Sequence, residues 1–192
     1  WKANTLDFST VSLIGSNFLI DGGDGSDTVT GSTLGDRIRG GRGADRIAGN
    51  SGADVITGGL EMDVLSGGAD NDTFTYTNLQ DGLWGGGSTF ERITDFVVGS
   101  DRFDVNSVPA SIQTLGAATA LNSSEIGKVL SNTAFVANGA ATFTFTGGGT
   151  TRSFIAFNDS TAGFQLGTDA LVEITGYTYA AGSSSISQIS LV

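Results

Sequence analysis

At 192 residues the chain is long enough for one or two domains, and 39% apolar residues are enough to build a core. A formal net charge of −11 makes nucleic acid and anionic membranes poor partners and metal cations good ones. The absence of cysteine and histidine removes disulfides, thiolate and His-based metal sites and Ser-His-Asp triads. The 30 glycines keep a period of nine rather than three, which excludes collagen. Sixteen of the 20 acidic residues lie at or before Asp104, so an acidic region precedes a near-neutral one. No apolar run approaches membrane-spanning length and no signal peptide is visible. The chain starts at Trp1 rather than methionine, and the expectation is that it forms the tail of a longer polypeptide.

Residues 1–21 are expected to form an N-terminal cap. Val11 and Ile20 keep the phase of a later apolar position, while Phe18 stands where an aspartate would, so the cap reads as a metal-free first rung. Residues 22–84 are the repeat region. Asp27, Asp36, Asp45, Asp54, Asp63 and Asp72 recur every nine residues, each followed two places on by Val29, Ile38, Ile47, Ile56, Leu65 or Phe74. The first copy, Gly22-Gly23-Asp24-Gly25-Ser26-Asp27-Thr28-Val29-Thr30, fits Gly-Gly-x-Gly-x-Asp-x-U-x, with U a large apolar residue. A seventh unit, Tyr76 to Trp84, keeps Asp81 and Leu83 in phase without the leading glycines and reads as a closing rung. Residues 85–192 form the third region. It opens on a Gly85-Gly86-Gly87-Ser88 hinge and a strand from Arg92 to Val98. Asn122-Ser123-Ser124-Glu125 resembles a capping box opening a short helix. Thr142 to Thr146 and Arg152 to Phe157 predict a hairpin across a turn at Gly147 to Thr151, with Phe143, Phe145, Phe154 and Phe157 on its core face and beside it. Ala170 to Ile174 predicts a further strand, and Ser183 to Val192 a serine-rich tail.

The fold these signals specify is all-β: a parallel β-roll, or β-solenoid, with an N-terminal cap and a mostly-β C-terminal region holding one short helix. Two nonapeptides make one turn, each a six-residue loop followed by a three-residue strand whose middle side chain points inward. Loops of equal parity stack, so Asp27, Asp45 and Asp63 line one edge and Asp36, Asp54 and Asp72 the other. At a strand spacing of about 4.8 Å the stacked carboxylates repel by about 1 kcal/mol per pair in water, and by more where water is thin. Calcium, which takes about six to eight oxygen ligands at flexible geometry, reverses that balance, and magnesium fits worse. Cation binding then becomes folding free energy.

The repeats resemble the RTX, or repeats-in-toxin, family of type I secreted proteins. In that family a loop supplies the carbonyls of its second and fourth positions and its aspartate, and the stacked loop supplies the carbonyls of its first and third positions and its own aspartate. The resemblance implies four complete calcium sites. Gly23, Gly25 and Asp27 would pair with Gly40, Arg42 and Asp45, and Ser32, Leu34 and Asp36 with Gly49, Ser51 and Asp54. Gly41, Gly43 and Asp45 would pair with Gly58, Leu60 and Asp63, and Asn50, Gly52 and Asp54 with Gly67, Ala69 and Asp72. A fifth site would run from Gly59, Glu61 and Asp63 toward Asp81. Farther on, Arg92 to Val105 resembles the segment after the rolls of secreted metalloproteases. Ser131 to Phe145, Phe154 to Phe164, Thr168-Asp169 and Glu173 to Tyr177 resemble the C-terminal "bluetail" domain of proteins assigned to the cyanobacterial surface, a resemblance that covers roughly residues 91–192. That resemblance implies export and a surface location rather than a reaction, and Ile189-Ser190-Leu191-Val192 fits an uncleaved type I export signal.

Disorder gives no reason for a strict nine-residue phase, and an EF-hand is excluded by the missing glutamate at loop position twelve. Arg37, Arg39, Arg42 and Arg46 balance the acidic roll, or bind an acidic polysaccharide. Asp101 and Asp104 close a turn, or bind another cation; Asp159 and Asp169 sit in turns rather than in a catalytic pair. The expected function is a non-catalytic calcium-folded tail of a secreted or cell-surface protein, with the type I secretion apparatus as partner. The alternatives are a self-assembling or adhesive surface module and an accessory domain of an enzyme encoded upstream.

Overall fold

In a computed structural model, the structure describes residues 2–11, 19–76, 78–82, 90–105, 109, 112–131, 135–165, 168–179 and 189–192. Phe18, Leu83, Trp84, the hinge at 85–88 and the serine-rich stretch at 183–188 lie outside the described residues.

The nine-residue period becomes two parallel sheets that face each other. Strands β2 (Leu19–Asp24), β4 (Arg37–Arg42), β6 (Val55–Leu60) and β8 (Thr73–Tyr76) stack in one sheet. Strands β1 (Thr5–Asp7), β3 (Thr28–Thr30), β5 (Arg46–Ser51) and β7 (Val64–Ala69) stack in the other. The register is the eighteen-residue turn: Ile20 lies beside Ile38, Ile38 beside Ile56 and Ile56 beside Phe74. Across the roll, Val29, Ile47 and Leu65 form the second ladder. Ile38, Ile47, Ile56, Leu65 and Phe74 are all buried, because only the middle strand residue of each nonapeptide faces inward.

The first rung departs from the expected phase. β1 pairs with β3 through Thr5↔Thr28 and Leu6↔Val29, a step of 23 residues rather than 18. Leu6, not Val11, therefore fills the apolar slot, and Val11 is exposed after a turn in which its amide donates to the Phe8 carbonyl at 2.8 Å. Ile20 keeps its place.

Both sheets run on past the repeats. β9 (Glu91–Ile93) stacks on β7, and β11 (Arg102–Val105) stacks on β8 with Phe103 beside Phe74. β17 (Ser190–Leu191) adds a last strand beside β11. The expected strand from Arg92 to Val98 is interrupted at Thr94-Asp95, where the chain turns a corner before β10 (Val97–Val98) pairs with β16 (Thr178–Tyr179). The Asp95 carboxylate fixes that corner by accepting from Ser66 Oγ at 2.6 Å and from the Gly67 and Gly68 amides at 3.0 Å.

The nine-stranded sheet continues from β9 to β15 (Ala170–Ile174), β14 (Thr150–Phe157), β13 (Ala140–Gly147) and β12 (Ile112–Ala118). β13 and β14 form the expected hairpin, turning through Gly148 and Gly149 at φ of 60° and 80°. Alternate residues of β14 face two cores. Ile155 and Phe157 join the roll's core, where Phe74, Tyr76, Phe96 and Phe103 form an aromatic plug; Phe96 and Phe103 stack at 4.9 Å. Phe154 and Ala156 join a second core with Phe90, Phe143 and Leu171, closed by Ile126 and Leu130. Ile126 comes from α1 (Ser123–Val129), where Asn122 is the N-cap and its side chain accepts from the Glu125 amide at 3.0 Å. The capping box is half formed, since the Glu125 carboxylate turns to Thr119 and Lys128 instead.

Truncation of Ile56 to alanine at the centre of its ladder is expected to cost about 2–5 kcal/mol. Val11→Ala, at an exposed site, is expected to stay within about 0.5 kcal/mol. Urea unfolding in calcium measures both, and equal effects would contradict the observed phase.

Candidate metal centre

Stacking the rungs brings the six repeat aspartates into the two rows expected from their parity. Each backbone amide donates to the carboxylate one turn on: Asp27 to Asp45 at 2.6 Å, Asp36 to Asp54 at 2.7 Å, Asp45 to Asp63 at 2.7 Å and Asp54 to Asp72 at 2.9 Å. One oxygen of each receiving carboxylate is thereby satisfied. The other is not: Oδ2 of Asp27, Asp45, Asp54, Asp63 and Asp72 is buried without a hydrogen-bond partner. A buried, unpaired carboxylate oxygen costs free energy that a well-folded protein recovers by pairing it. Repeated five times on one pattern, it leaves a row of anionic oxygens available to a cation. A hard divalent ion fits these donors, which are anionic and neutral oxygens with no sulfur or imidazole. Among the described residues no group of three or more carboxylates converges, so two carboxylates and backbone carbonyls would form each site.

The loops are shaped for this in two ways. At positions two and four the backbone is left-handed, as at Gly41 and Gly43 with φ of 118° and 117°, and a Cβ is disfavoured there. Asn50, Glu61 and Asp70 hold the same conformation without glycine, at φ of 81°, 84° and 83°. At position one the reason is close approach: a Cβ on Gly40 would stand 2.3 Å from Asp45 Oδ2 and 2.5 Å from the Gly58 carbonyl oxygen. The aspartate leans back over its own loop, and the next rung's carbonyl closes the gap.

The loops that carry the expected ligands stack in register. Gly23 lies beside Gly41 and Asp24 beside Arg42; Gly41 lies beside Gly59 and Arg42 beside Leu60; Asn50 lies beside Gly68 and Ser51 beside Ala69. Gly25 donates to the Arg42 carbonyl at 2.8 Å and Gly43 to the Leu60 carbonyl at 3.1 Å, which ties position four to position three of the next rung. Gly49, Gly52 and Gly67 hold the equivalent places in the opposite row. The second repeat is different. Ser32 and Leu34 lack the left-handed backbone, and the Ser32 amide donates at 2.6 Å to Asp36 Oδ2, the oxygen left unpaired in the other five repeats. Leu34, 43% exposed, donates its backbone N–H to Ser32 Oγ at 3.1 Å.

The rows end on residues that repeat arithmetic does not reach. At the N-terminal end the Asn4 amide donates to Asp27 Oδ1 at 2.6 Å, so a neutral asparagine occupies the aspartate slot of the first rung. At the other end Asp81 does not take the slot after Asp63. It sits in a short 3-10 helix, Leu79–Gly82, beside the roll, and Glu91 receives the Asp63 amide at 2.8 Å. Asp101 receives the Asp72 amide at 3.0 Å, and its other oxygen accepts from Val97 at 2.7 Å, so it closes its own turn while extending the row. Insertions before each of these carboxylates hide them from a nine-residue count; the signal available was an apolar residue two places on, Ile93 and Phe103.

Electrostatics follow from burial. Desolvation pushes the Asp45 and Asp72 carboxyls up to about 6 and Asp54 up to about 7, opposed by the amide each accepts and reinforced by neighbouring carboxylates. Burial, with Asp45 and Asp81 adding to it, raises Asp63, and burial raises Glu91 well above the carboxylate range. Outside the rows, Asp169 is buried and accepts from the Asp159 and Gln165 amides at 3.0 and 2.7 Å, organising a turn. Glu173 is pushed up by burial, but Arg152 and Arg92 outweigh this and hold it low. Of the four arginines within the repeats, Arg37, Arg39 and Arg42 share β4, Arg46 lies on the opposite sheet, and Arg39 sits 3.6 Å from Asp21.

These features define a β-roll whose loops are built for oxygen-ligated divalent cations. Residues 19–34, 30–61 and 63–77 match the family model for the RTX calcium-binding nonapeptide repeat (4 copies), so this region consists of RTX calcium-binding repeats. The chain is also similar to the solution structure of the AlgE6R2 subunit from the Azotobacter vinelandii mannuronan C5-epimerase. The TM-score is 0.52 and the identity 25%, over 86% of this chain and 95% of that one. No curated protein matches the chain. The matched repeat residues end at 77, and the resemblance of residues 91–192 to the bluetail domain is carried by the sequence alone.

A pH dependence of opposite sign with and without calcium is expected. In chelator, Asp45, Asp54 and Asp72 bind protons more tightly folded than unfolded, where the value is about 3.9. The folded fraction in chelator, small near neutral pH, therefore grows as pH falls from about 7 to about 4. In calcium, protons compete with the ion, and the calcium midpoint of folding rises over the same interval. Circular dichroism titrations measure both; chelated stability that grows with pH would contradict the assignment.

Proposed function

We propose that the chain is a non-catalytic, calcium-folded C-terminal domain of a secreted or cell-surface protein exported by a type I system. The observation that carries this is the set of buried Oδ2 atoms without partners, which the polypeptide leaves for a cation to satisfy. Glycine-rich loops lose much conformational entropy on ordering, and crowded carboxylates repel, so the repeats order only when the cation supplies the difference. Extracellular calcium modules have dissociation constants of about 10⁻⁴–10⁻³ M, which keeps such a chain unfolded in a calcium-poor cytosol and folds it outside. RTX repeat proteins are typically secreted, and among the described residues no helix is long and apolar enough to cross a membrane. Ile189 is buried and Ser190–Leu191 lies along β11 in the folded chain, so an export signal at 189–192 would be readable only before folding.

A second role, as the accessory domain of an enzyme, draws on the similarity to a subunit of an epimerase. A surface-assembly or polysaccharide-binding role is compatible with the exposed arginines of β4.

Adding calcium to the chelated protein is expected to raise β-sheet circular dichroism, with little response to magnesium. Asp45 and Asp54 each stand between two sites, so Asp45→Asn and Asp54→Asn should raise the calcium midpoint by at least about tenfold, since stranding one partner of a buried ionic contact costs about 3–5 kcal/mol. Asp27→Asn, at a row's end, should raise it less. Equal response to magnesium, or no effect of the substitutions, would count against calcium-driven folding. Light scattering separates the roles: a monomer in calcium disfavours assembly.

A further inference from the structure

We propose that Asp63 and Glu91 together hold a further divalent cation of the calcium type, beyond the four intervals between repeats. The register Val64↔Arg92 and Leu65↔Ile93 places Glu91 one rung after Asp63, although 28 residues separate them. Glu91 Oε2 accepts the Asp63 amide at 2.8 Å, the part that Asp Oδ1 plays elsewhere in the row.

The second oxygen of Glu91 does something no repeat aspartate does. On Gly22, Gly40 and Gly49 an added Cβ would meet the loop's own Asp Oδ2 and the next rung's first-position carbonyl oxygen, the latter at 2.5–2.6 Å. On Gly58 it would meet Asp63 Oδ2 at 2.3 Å and Glu91 Oε1 at 2.7 Å. The longer glutamate side chain thus puts a carboxylate oxygen where earlier rungs have a backbone carbonyl. Asp63 is fully buried, and its Oδ2, aimed at the same point, has no hydrogen-bond partner. Tyr76 donates its hydroxyl to Glu91 Oε1 at 3.1 Å and orients the side chain. Gly59 and Glu61 keep the left-handed backbone of a working loop, at φ of 117° and 84°, and Glu61 does so against the preference of a residue with a Cβ. Two carboxylates balance a divalent charge, with carbonyls or water completing the six to eight oxygens typical of calcium. The other row does not end this way: Asp101 Oδ2 is taken by the Val97 amide at 2.7 Å, and a Cβ on Gly67 meets Asp72 atoms first.

The site rests on reading the repeats as calcium loops, and the test separates the two. Bound calcium is counted by elemental analysis after equilibrium dialysis of the full chain and of Glu91→Gln at saturating calcium. The expected result is one ion fewer in the variant, with calcium-dependent folding retained. An equal count overturns the Glu91 site while leaving the repeat sites standing; a wild type that binds no calcium overturns both. If Glu91→Gln does not fold, anomalous scattering from calcium-loaded wild-type crystals decides. A peak between the Asp63 and Glu91 carboxylates supports the site, and its absence beside occupied repeat sites overturns it.

Discussion

The structure depends on stacking like charges at the spacing of β-strands. A parallel sheet fixes neighbouring rungs about 4.8 Å apart, and the nine-residue period puts one carboxylate of each parity on every rung. Backbone amides satisfy one oxygen of the receiving carboxylates, but the second oxygen of five aspartates remains buried and unpaired. Among the described residues no side chain pairs these oxygens, and the arginines of β4 and β5 are exposed. A divalent cation between rungs converts the least favourable contact in the roll into the one that holds it closed.

The two ends of the solenoid show how the rows are terminated. At the N-terminal end a neutral asparagine replaces the aspartate, and the 23-residue step to Leu6 covers the core with a short strand. At the C-terminal end, Glu91 and Asp101 carry each row one rung beyond the repeats, and Phe96, Phe103 and Phe157 seal the apolar ladders. The sheet of β1, β3, β5, β7 and β9 then passes without a break into β15 and the hairpin, while the other ends at β17. The repeat roll therefore shares its core with the C-terminal strands, and its last rung depends on residues from 91 onward.

Much of this was legible in the sequence because the nine-residue phase encodes two things at once. The aspartates and the apolar residues two places on fix both the parallel register and the parity of the rows, and Ile38, Ile47, Ile56 and Leu65 are buried as that phase requires. The Phe143 and Phe154 hairpin was visible in strict alternation. What the period could not show is where it stops. Asp81 keeps the count but leaves the row, because its unit lacks the glycines that let a loop pass under its neighbour. Glu91 breaks the count but joins the row, because strand pairing through Ile93, not sequence spacing, sets its position. Val11 against Leu6 is the same lesson at the other end. The corner at Asp95 was missed because it divides a strand-like sequence by hydrogen bonds to Gly67 and Gly68, more than 25 residues away.

The central claim is that a cation clamps the carboxylate rows, and hydrogen exchange at the row amides addresses it most directly. The amides of Asp27, Asp36, Asp45, Asp54, Asp63 and Asp72 each donate to the next carboxylate in the row. With calcium they should exchange slowly and together; in chelator they should exchange at nearly the rate of an unfolded chain. Equal protection of these six amides in both conditions would show that the rows hold without a cation and would contradict the account.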